Sequence, residues 1–277
     1  MDGVDMAFMI HTTEKNSHVN RFWNGCVAKS TSFQGVSAHA GSAPHKGVNA
    51  LYAANLSLNA INALRETFLD DSHIRVHPIL TAAGGAVNAI PDLVQMEAYV
   101  RGKTIEDIVA VNKKVNRAMA ASAAAMGANV HLLDIPGYMP EGDDLGMMEV
   151  SREAFLSQKE EIDLRPQNCM TGCTDMGDIS TVMPVTQPMI AGATGTAHGI
   201  AFRIADPELA CVTCAKVMLT MVAILLQDGA ARAKQIIADH KPVFATRQAY
   251  FEAMDNMFLD CDAVDYAPDG TVTLSYQ

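Results

Sequence analysis

Val94-Gln95-Met96-Glu97-Ala98-Tyr99-Val100-Arg101 alternates apolar with polar side chains, Tyr99 excepted, and this stretch decides the fold. A period of two puts Val94, Met96, Ala98 and Val100 on one face of a strand and leaves the other face to solvent. Downstream, Thr104 and Asp107 form a variant of the capping box that opens a helix. Its inner face reads Ile108, Val111, Val115, Ala118 and Ser122, and Gly127 is a natural C-cap. A last strand is predicted over 129–135. Upstream, Leu51, Ala54, Leu58, Ile61, Leu64 and Phe68 build one apolar helical stripe. Strands are predicted on either side of it, over 27–33 and 74–80. The order βαββαβ is the split, ferredoxin-like motif, in which one sheet is covered by two helices.

Outside this insert the pattern is less regular. Before it stands a single strand-like run, Met6-Ala7-Phe8-Met9-Ile10. After it come a predicted helix over 145–156, a loop-rich stretch to Pro188, and a short strand over 189–191. Asp206-Pro207 then starts a long helix, with the aspartate as N-cap and the proline at N1. The helix stripe is Leu209, Val212, Lys216, Leu219, Val222 and Leu226, apolar apart from one lysine. The expectation is a discontinuous, incomplete α/β domain, 1–26 with 137–277, interrupted by the βαββαβ insert, 27–136.

A chain of 277 residues with a formal charge of -11 lacks the basic face of a nucleic-acid binder and does not suit anionic lipid. The longest apolar run, from Val217 to Leu226, is interrupted by Thr220 and falls short of the roughly 20 residues a membrane span needs. The opening Met1-Asp2-Gly3-Val4-Asp5 has no basic n-region. The expectation is a cytoplasmic protein with no membrane partner, acting on a small molecule or docking a protein. Six cysteines in so long a chain make no disulfide scaffold. Cys211 and Cys214 fit small buried thiols in a core helix better than a zinc or redox site, and Cys169 and Cys173 form a second, looser pair.

Several residues could carry chemistry, each with a plainer alternative. His11 ends the first apolar run, at the strand tip where open α/β sheets bind ligands. His198 lies in the glycine-rich Gly195-Thr196-Ala197-His198-Gly199; either histidine could equally be a loop residue. In Gly35-Val36-Ser37-Ala38-His39-Ala40-Gly41, small residues around His39 allow close approach, and an oriented imidazole could donate to an oxyanion. Asn88 could bind a substrate carbonyl or carboxylate, or simply shape a turn. Arg101 could hold a carboxylate in bidentate fashion. Asp175 and Asp178 could orient ligands or cap a short helix. Glu160-Glu161 reads as a solvated face.

Taken together, these stretches resemble the zinc amidohydrolase family of aminoacylases, carboxypeptidase G-type enzymes and dipeptidases, on the aminobenzoyl-glutamate hydrolase side. The stretch from Gly35 to Leu51 is similar to the family's G-x-SAHA-x-x-P-x-x-G-x-NAL stretch. Asn88-Ala89-Ile90-Pro91-Asp92 is similar to its N-x-IPD turn, and Cys173-Thr174-Asp175-Met176-Gly177-Asp178 to its STDMGD loop, with cysteine for serine. The stretch from Asp2 to His11 resembles the strand that ends in a metal-binding histidine.

The resemblance implies part of a zinc-exopeptidase-like α/β/α catalytic domain carrying the lid. It implies a two-zinc site (manganese or cobalt also serving) with His11 and His198 as ligands. His39 would steady the oxyanion in a partner's site, Asn88 and Arg101 would hold the substrate's carboxylate, and the lid would make a homodimer. The reaction implied is hydrolysis of an amide beside a carboxylate-bearing amino acid, in an N-acyl or aminobenzoyl glutamate or a dipeptide. The family's Glu-Glu pair, one member of which is the general base, has no match here. The expectation is therefore a truncated chain, inactive alone. The alternatives are a non-catalytic dimerisation or regulatory module and one half of a split enzyme.

Overall fold

The structure is a computed structural model that describes residues 3–19, 22–162 and 169–277. Asp2, which opens the stretch leading to His11, lies outside the described residues. The chain divides into two compact units: Met1–Asn24 with Met139–Tyr250, and Gly25–Tyr138 with Phe251–Gln277.

The second unit is built on the βαββαβ order: β1 (Gly25–Gln34), α1 (Ala50–Leu64), β2 (Arg75–Ala82), β3 (Leu93–Gly102), α2 (Ile105–Ala125) and β4 (Asn129–Pro136). Alternation does what period two demands, since Val94, Met96, Ala98 and Val100 are all buried under the helices. Asn49 caps α1 by accepting from the Leu51 and Tyr52 N–H groups, and Thr104 caps α2 by accepting from Asp107 N–H. Phe33, Ile61, Met96, Val115, Met119 and Leu132 form the centre of the core. The sheet is antiparallel throughout and has a fifth strand, β5 (Leu259–Asp262), giving the order β5-β4-β1-β3-β2. Residues 251–277, grouped by sequence with the discontinuous domain, thus belong to this unit. A hairpin, β6 (Val264–Tyr266) with β7 (Val272–Leu274), follows β5.

Inside this apolar core lies one polar network. Lys29, fully buried on β1, donates to Asn112, Asn116 and Asp134. Both asparagines also donate through Nδ2 to the second carboxylate oxygen of Asp134, at 2.7 Å each. Every member is satisfied, which is the condition for tolerating a charge pair in a core. Burial pushes the Lys29 ammonium below its ordinary range, against the pull of Asp134.

The first unit has strands of two residues each. Ala7–Phe8 pairs in parallel with Val185–Thr186, and His11–Thr12 with Met189–Ile190. Phe22–Trp23 lies between Glu141–Gly142 and Cys169–Met170. Among the described residues these are separate ladders and not the continuous sheet of a three-layer domain. The helix Leu145–Ser157, capped by Asp144, packs through Met147, Val150 and Phe155 on Val217, Met221 and Leu225 of the helix Cys214–Asp239.

That last helix corrects the sequence reading of its inner face. The predicted stripe is largely outside, with Leu219 70% and Leu226 63% exposed, while Ala210, Val217, Met221 and Leu225 are buried. The buried stripe is offset by one residue from the predicted one, and both are apolar at helical spacing; the helix opens with a π-helical turn over Glu208–Thr213. Cys211 is accordingly exposed and Cys214 half-buried, and no disulfide forms among the described residues. Glu208–Asp239 is long and apolar enough, by length and composition, to cross a membrane. Its backbone is non-helical at Gln227–Ala230, where it kinks.

Candidate active site

The stretch around His39 is a loop pinned at its neck. Val36 and Val48 exchange backbone hydrogen bonds of 2.9 Å in both directions. Gly35 is required there, since a Cβ would stand 2.1 Å from the Val48 carbonyl oxygen. Gly47 is needed too, because a Cβ would meet Ile90 Cδ1 at 2.7 Å. The loop then clasps the Asn88 turn: Ala40 N–H donates to Asn88 O, Ile90 N–H to Ala38 O, and Ser37 Oγ to Ile90 O. His39 and Ala89 form a bridge. Two of the candidate residues, far apart in sequence, are in this way brought side by side.

The His39 ring is exposed but fixed. The N–H groups of Gly41 and Ser42 both donate to Nδ1 at 3.1 Å. In the neutral ring the proton therefore sits on Nε2, which leaves that atom a donor directed away from its own loop. A fixed imidazole N–H of this kind can stabilise charge developing on an oxygen.

Arg101 does not join this pair within one copy. It lies near the far end of β3, opposite Cys26 and Arg75, whereas Leu93 pairs with Gln34 beside the loop. Eight residues of strand separate the two ends, roughly 27 Å. There the guanidinium lies 5.2 Å over the Tyr99 ring, and its Nε is buried without a hydrogen-bond partner.

The two candidate ligands are in the other unit. His11 is exposed, pairs with Met189, and places Nδ1 2.8 Å from the Thr12 carbonyl oxygen. Beyond Ile190 the chain passes Thr13, which accepts from Ala193 N–H, into a hairpin of Ala193–Thr194 with Arg203–Ile204. His198 is in the loop of that hairpin, exposed and left-handed at φ 62°. A histidine there is unusual enough to suggest a constraint. Among the described residues no group of three or more His, Cys, Asp or Glu side chains converges in a way that could hold a metal ion. A pair of zinc ions needs more ligands than two histidines supply, so the described residues do not by themselves fit the metal centre.

Two acidic groups differ from their sequence reading. Asp178 accepts from Tyr250 Oη at 3.0 Å, and burial raises its carboxyl. Glu160 accepts from Ser17 Oγ at 2.7 Å, so it does not simply face solvent. Sequence reasoning missed a third feature, the buried pair Glu141 and Asp143. Burial, with help from Asp143 and Asp175, pushes the Glu141 carboxyl up to about 9. Burial also pushes Asp143 up to about 7, against hydrogen bonds from Glu141, Gln187 N–H and Thr186. In Glu141-Gly142-Asp143-Asp144 nothing but charge density hinted at this, and charge density usually means solvent.

Known proteins resemble this chain in sequence and in fold. Residues 24–126 match the peptidase dimerisation domain. The chain is 28% identical over 204 residues to the Xaa-Arg dipeptidase of Mus musculus, covering 68% of this chain and 43% of the relative. It is 31% identical over 129 residues to one of the subunits of p-aminobenzoyl-glutamate hydrolase from Escherichia coli K12, covering 45% of this chain and 26% of the relative. A dinuclear metal-binding peptidase of the M20 family from Bacillus subtilis shares the fold, with a TM-score of 0.58 at 19% identity over 82% of this chain and 58% of that one. What the match and the fold define is a peptidase dimerisation domain over residues 24–126, with a further unit of mixed α/β structure in the same chain. The chain is similar to peptidases and amidohydrolases of the M20 family. It spans less than half the length of the curated relatives it matches.

Proposed function

We propose that this chain serves a metal-dependent amidohydrolase acting in the cytoplasm on an amide bond beside a carboxylate-bearing amino acid. Candidate substrates are a dipeptide of the Xaa-Arg kind and p-aminobenzoyl-glutamate, after the relatives' names. The observation that carries the reading is the His39 ring, locked by two backbone N–H groups beside the Asn88 turn. In this reading His39 Nε2–H donates to the oxygen that gains charge as the amide is attacked, and Asn88 orients the substrate's carboxylate. His11 and His198 contribute to a centre of zinc, manganese or cobalt that further residues complete. The dimerisation match, which ends before β4, supports a homodimer. The side carrying β2 and α1 fits this best, because β2 ends the sheet and Tyr52 and Leu56 of α1 are exposed.

A second reading, a dimerisation module without catalysis, is favoured by the lack of a converging ligand group among the described residues. One experiment separates the two. The chain, with the residues that complete the centre supplied in the same polypeptide or as a second one, is given zinc or manganese and assayed for bound metal and for hydrolysis of both substrates. Turnover lost in His39→Ala at unchanged metal content, with metal lost in His11→Ala and His198→Ala, supports the enzyme reading. No bound metal and no turnover leaves the module.

A further inference from the structure

A sheet with two open edges offers two places for another chain to pair, and a dimerisation domain that used both would grow into a fibre instead of closing. In this chain one edge is occupied from within. β5 runs antiparallel to β4 with Leu259 opposite Asp134, Asp260 opposite Leu133, Cys261 opposite Leu132 and Asp262 opposite His131. On the outer face the His131 ring lies between two tail carboxylates, with Nδ1 3.0 Å from Asp262 and Nε2 3.3 Å from Asp260. Ala263 N–H continues the ladder to Val130 O at 2.8 Å, Val264 N–H donates to Asn129 Oδ1, and Tyr266 Oη donates to Ala128 O. On the inner face Ala263 and Val264 are 1% and 4% exposed and belong to the unit's core. The tail is thus fixed by the ladder, by the His131 contacts on one face and by apolar burial on the other.

We propose that the C-terminal tail, Phe251–Gln277, is an internal edge cap that closes β4 to a second copy of this chain and confines self-association to the β2 and α1 side. The cap lies outside the matched dimerisation region, residues 24–126. The opposite edge has other protections, Pro78 within β2 and a register shift between Leu80 and Ala82, which leave it narrower but still open. The proposal concerns which surface of the proposed dimer stays free, and it is separable from the dimer itself.

The test compares the full chain with a chain ending at Tyr250, by light scattering over a range of concentrations. The tail-less chain should exceed the mass of the full chain by about twofold or more and keep growing with concentration, as an open, non-closing contact requires. A folded tail-less chain with the same mass as the full chain overturns the cap. If the full chain is monomeric and the tail-less chain associates, the cap stands and the dimer falls. If both are dimers, the reverse holds. A second measurement decides the matter should the tail-less chain fail to fold. In the full chain carrying Leu133→Cys and Asp260→Cys, directly opposed positions, the new cysteines should oxidise within one chain and leave its mass unchanged. Disulfide-linked pairs of chains in their place would show β4 facing a second copy and overturn the proposal.

Discussion

Replacing Glu141 by glutamine should stabilise the first unit above neutral pH and flatten its pH dependence. Glu141 lies opposite Trp23 in the ladder and is 1% exposed, and apart from the Asp143 carboxyl neither of its carboxylate oxygens has a partner. Two carboxylates this close and this dry cannot both ionise, so the pair holds a proton between them. Burial first, then Asp143 and Asp175, raises Glu141 to about 9, and burial raises Asp143 to about 7. In the unfolded chain both groups titrate at about 4. The folded unit therefore binds a proton that the unfolded chain has released. The sign follows: such a group contributes its full stability below the unfolded value and loses it as pH rises through the folded one. Each retained proton costs about 1.4 kcal/mol per pH unit, and below about pH 7 both carboxyls retain theirs, so stability should fall by about 5 kcal/mol between roughly pH 5 and 7.

Glutamine keeps the volume of Glu141, carries no titratable proton, and can donate an N–H to Asp143. Trp23, the chain's single tryptophan, lies across the ladder and makes urea denaturation followed by fluorescence report this unit. Measured at several values between about pH 5 and 8, the wild-type midpoint should drop steadily, and that of Glu141→Gln should drop by at most half as much, near neutrality overtaking the wild type. A wild-type midpoint that stays level across the range, or a variant with the wild-type slope, would refute the shared proton.

Two further expectations concern the second unit. Lys29→Met should strand the Asp134 carboxylate in the core and cost on the order of 3–5 kcal/mol, read as faster hydrogen exchange of the β1 and β4 amides. Adding Asp134→Leu should restore most of the protection, and a single variant with wild-type exchange would show that the network bears no stability. Proton–nitrogen correlation spectra of His39 near neutral pH should show Nδ1 bare and Nε2 protonated. A proton on Nδ1 would remove the donor assigned to this residue.

The second unit was legible because its signals are local. Alternation in β3, the Thr104 cap and the glycine at 35 each state a requirement that neighbouring residues meet. The tail strand was not, because Leu259-Asp260-Cys261-Asp262 is too short to show a period, and its partner stands about 130 positions earlier. The face of the long helix was misread because two apolar stripes run side by side, through Leu219 and Leu226 and through Val217, Met221 and Leu225, and apolar spacing alone does not choose between them. Arg101 shows what a motif leaves open. A family motif supplies residue roles but no distances, although strand arithmetic alone separates Arg101 from Asn88 by most of β3.

The same distinction bears on the site. His39 and Asn88 are held by reciprocal backbone bonds between two loops of one unit, so their juxtaposition is a property of the fold and survives without substrate or metal. His11 and His198 sit on an exposed strand end and an exposed hairpin, where no converging group forms among the described residues and further ligands would be required to orient them. If the proposed roles hold, the oxyanion side would be preorganised by backbone and the metal side by ligation, so the first can be tested on the tautomer of one imidazole and the second by adding metal.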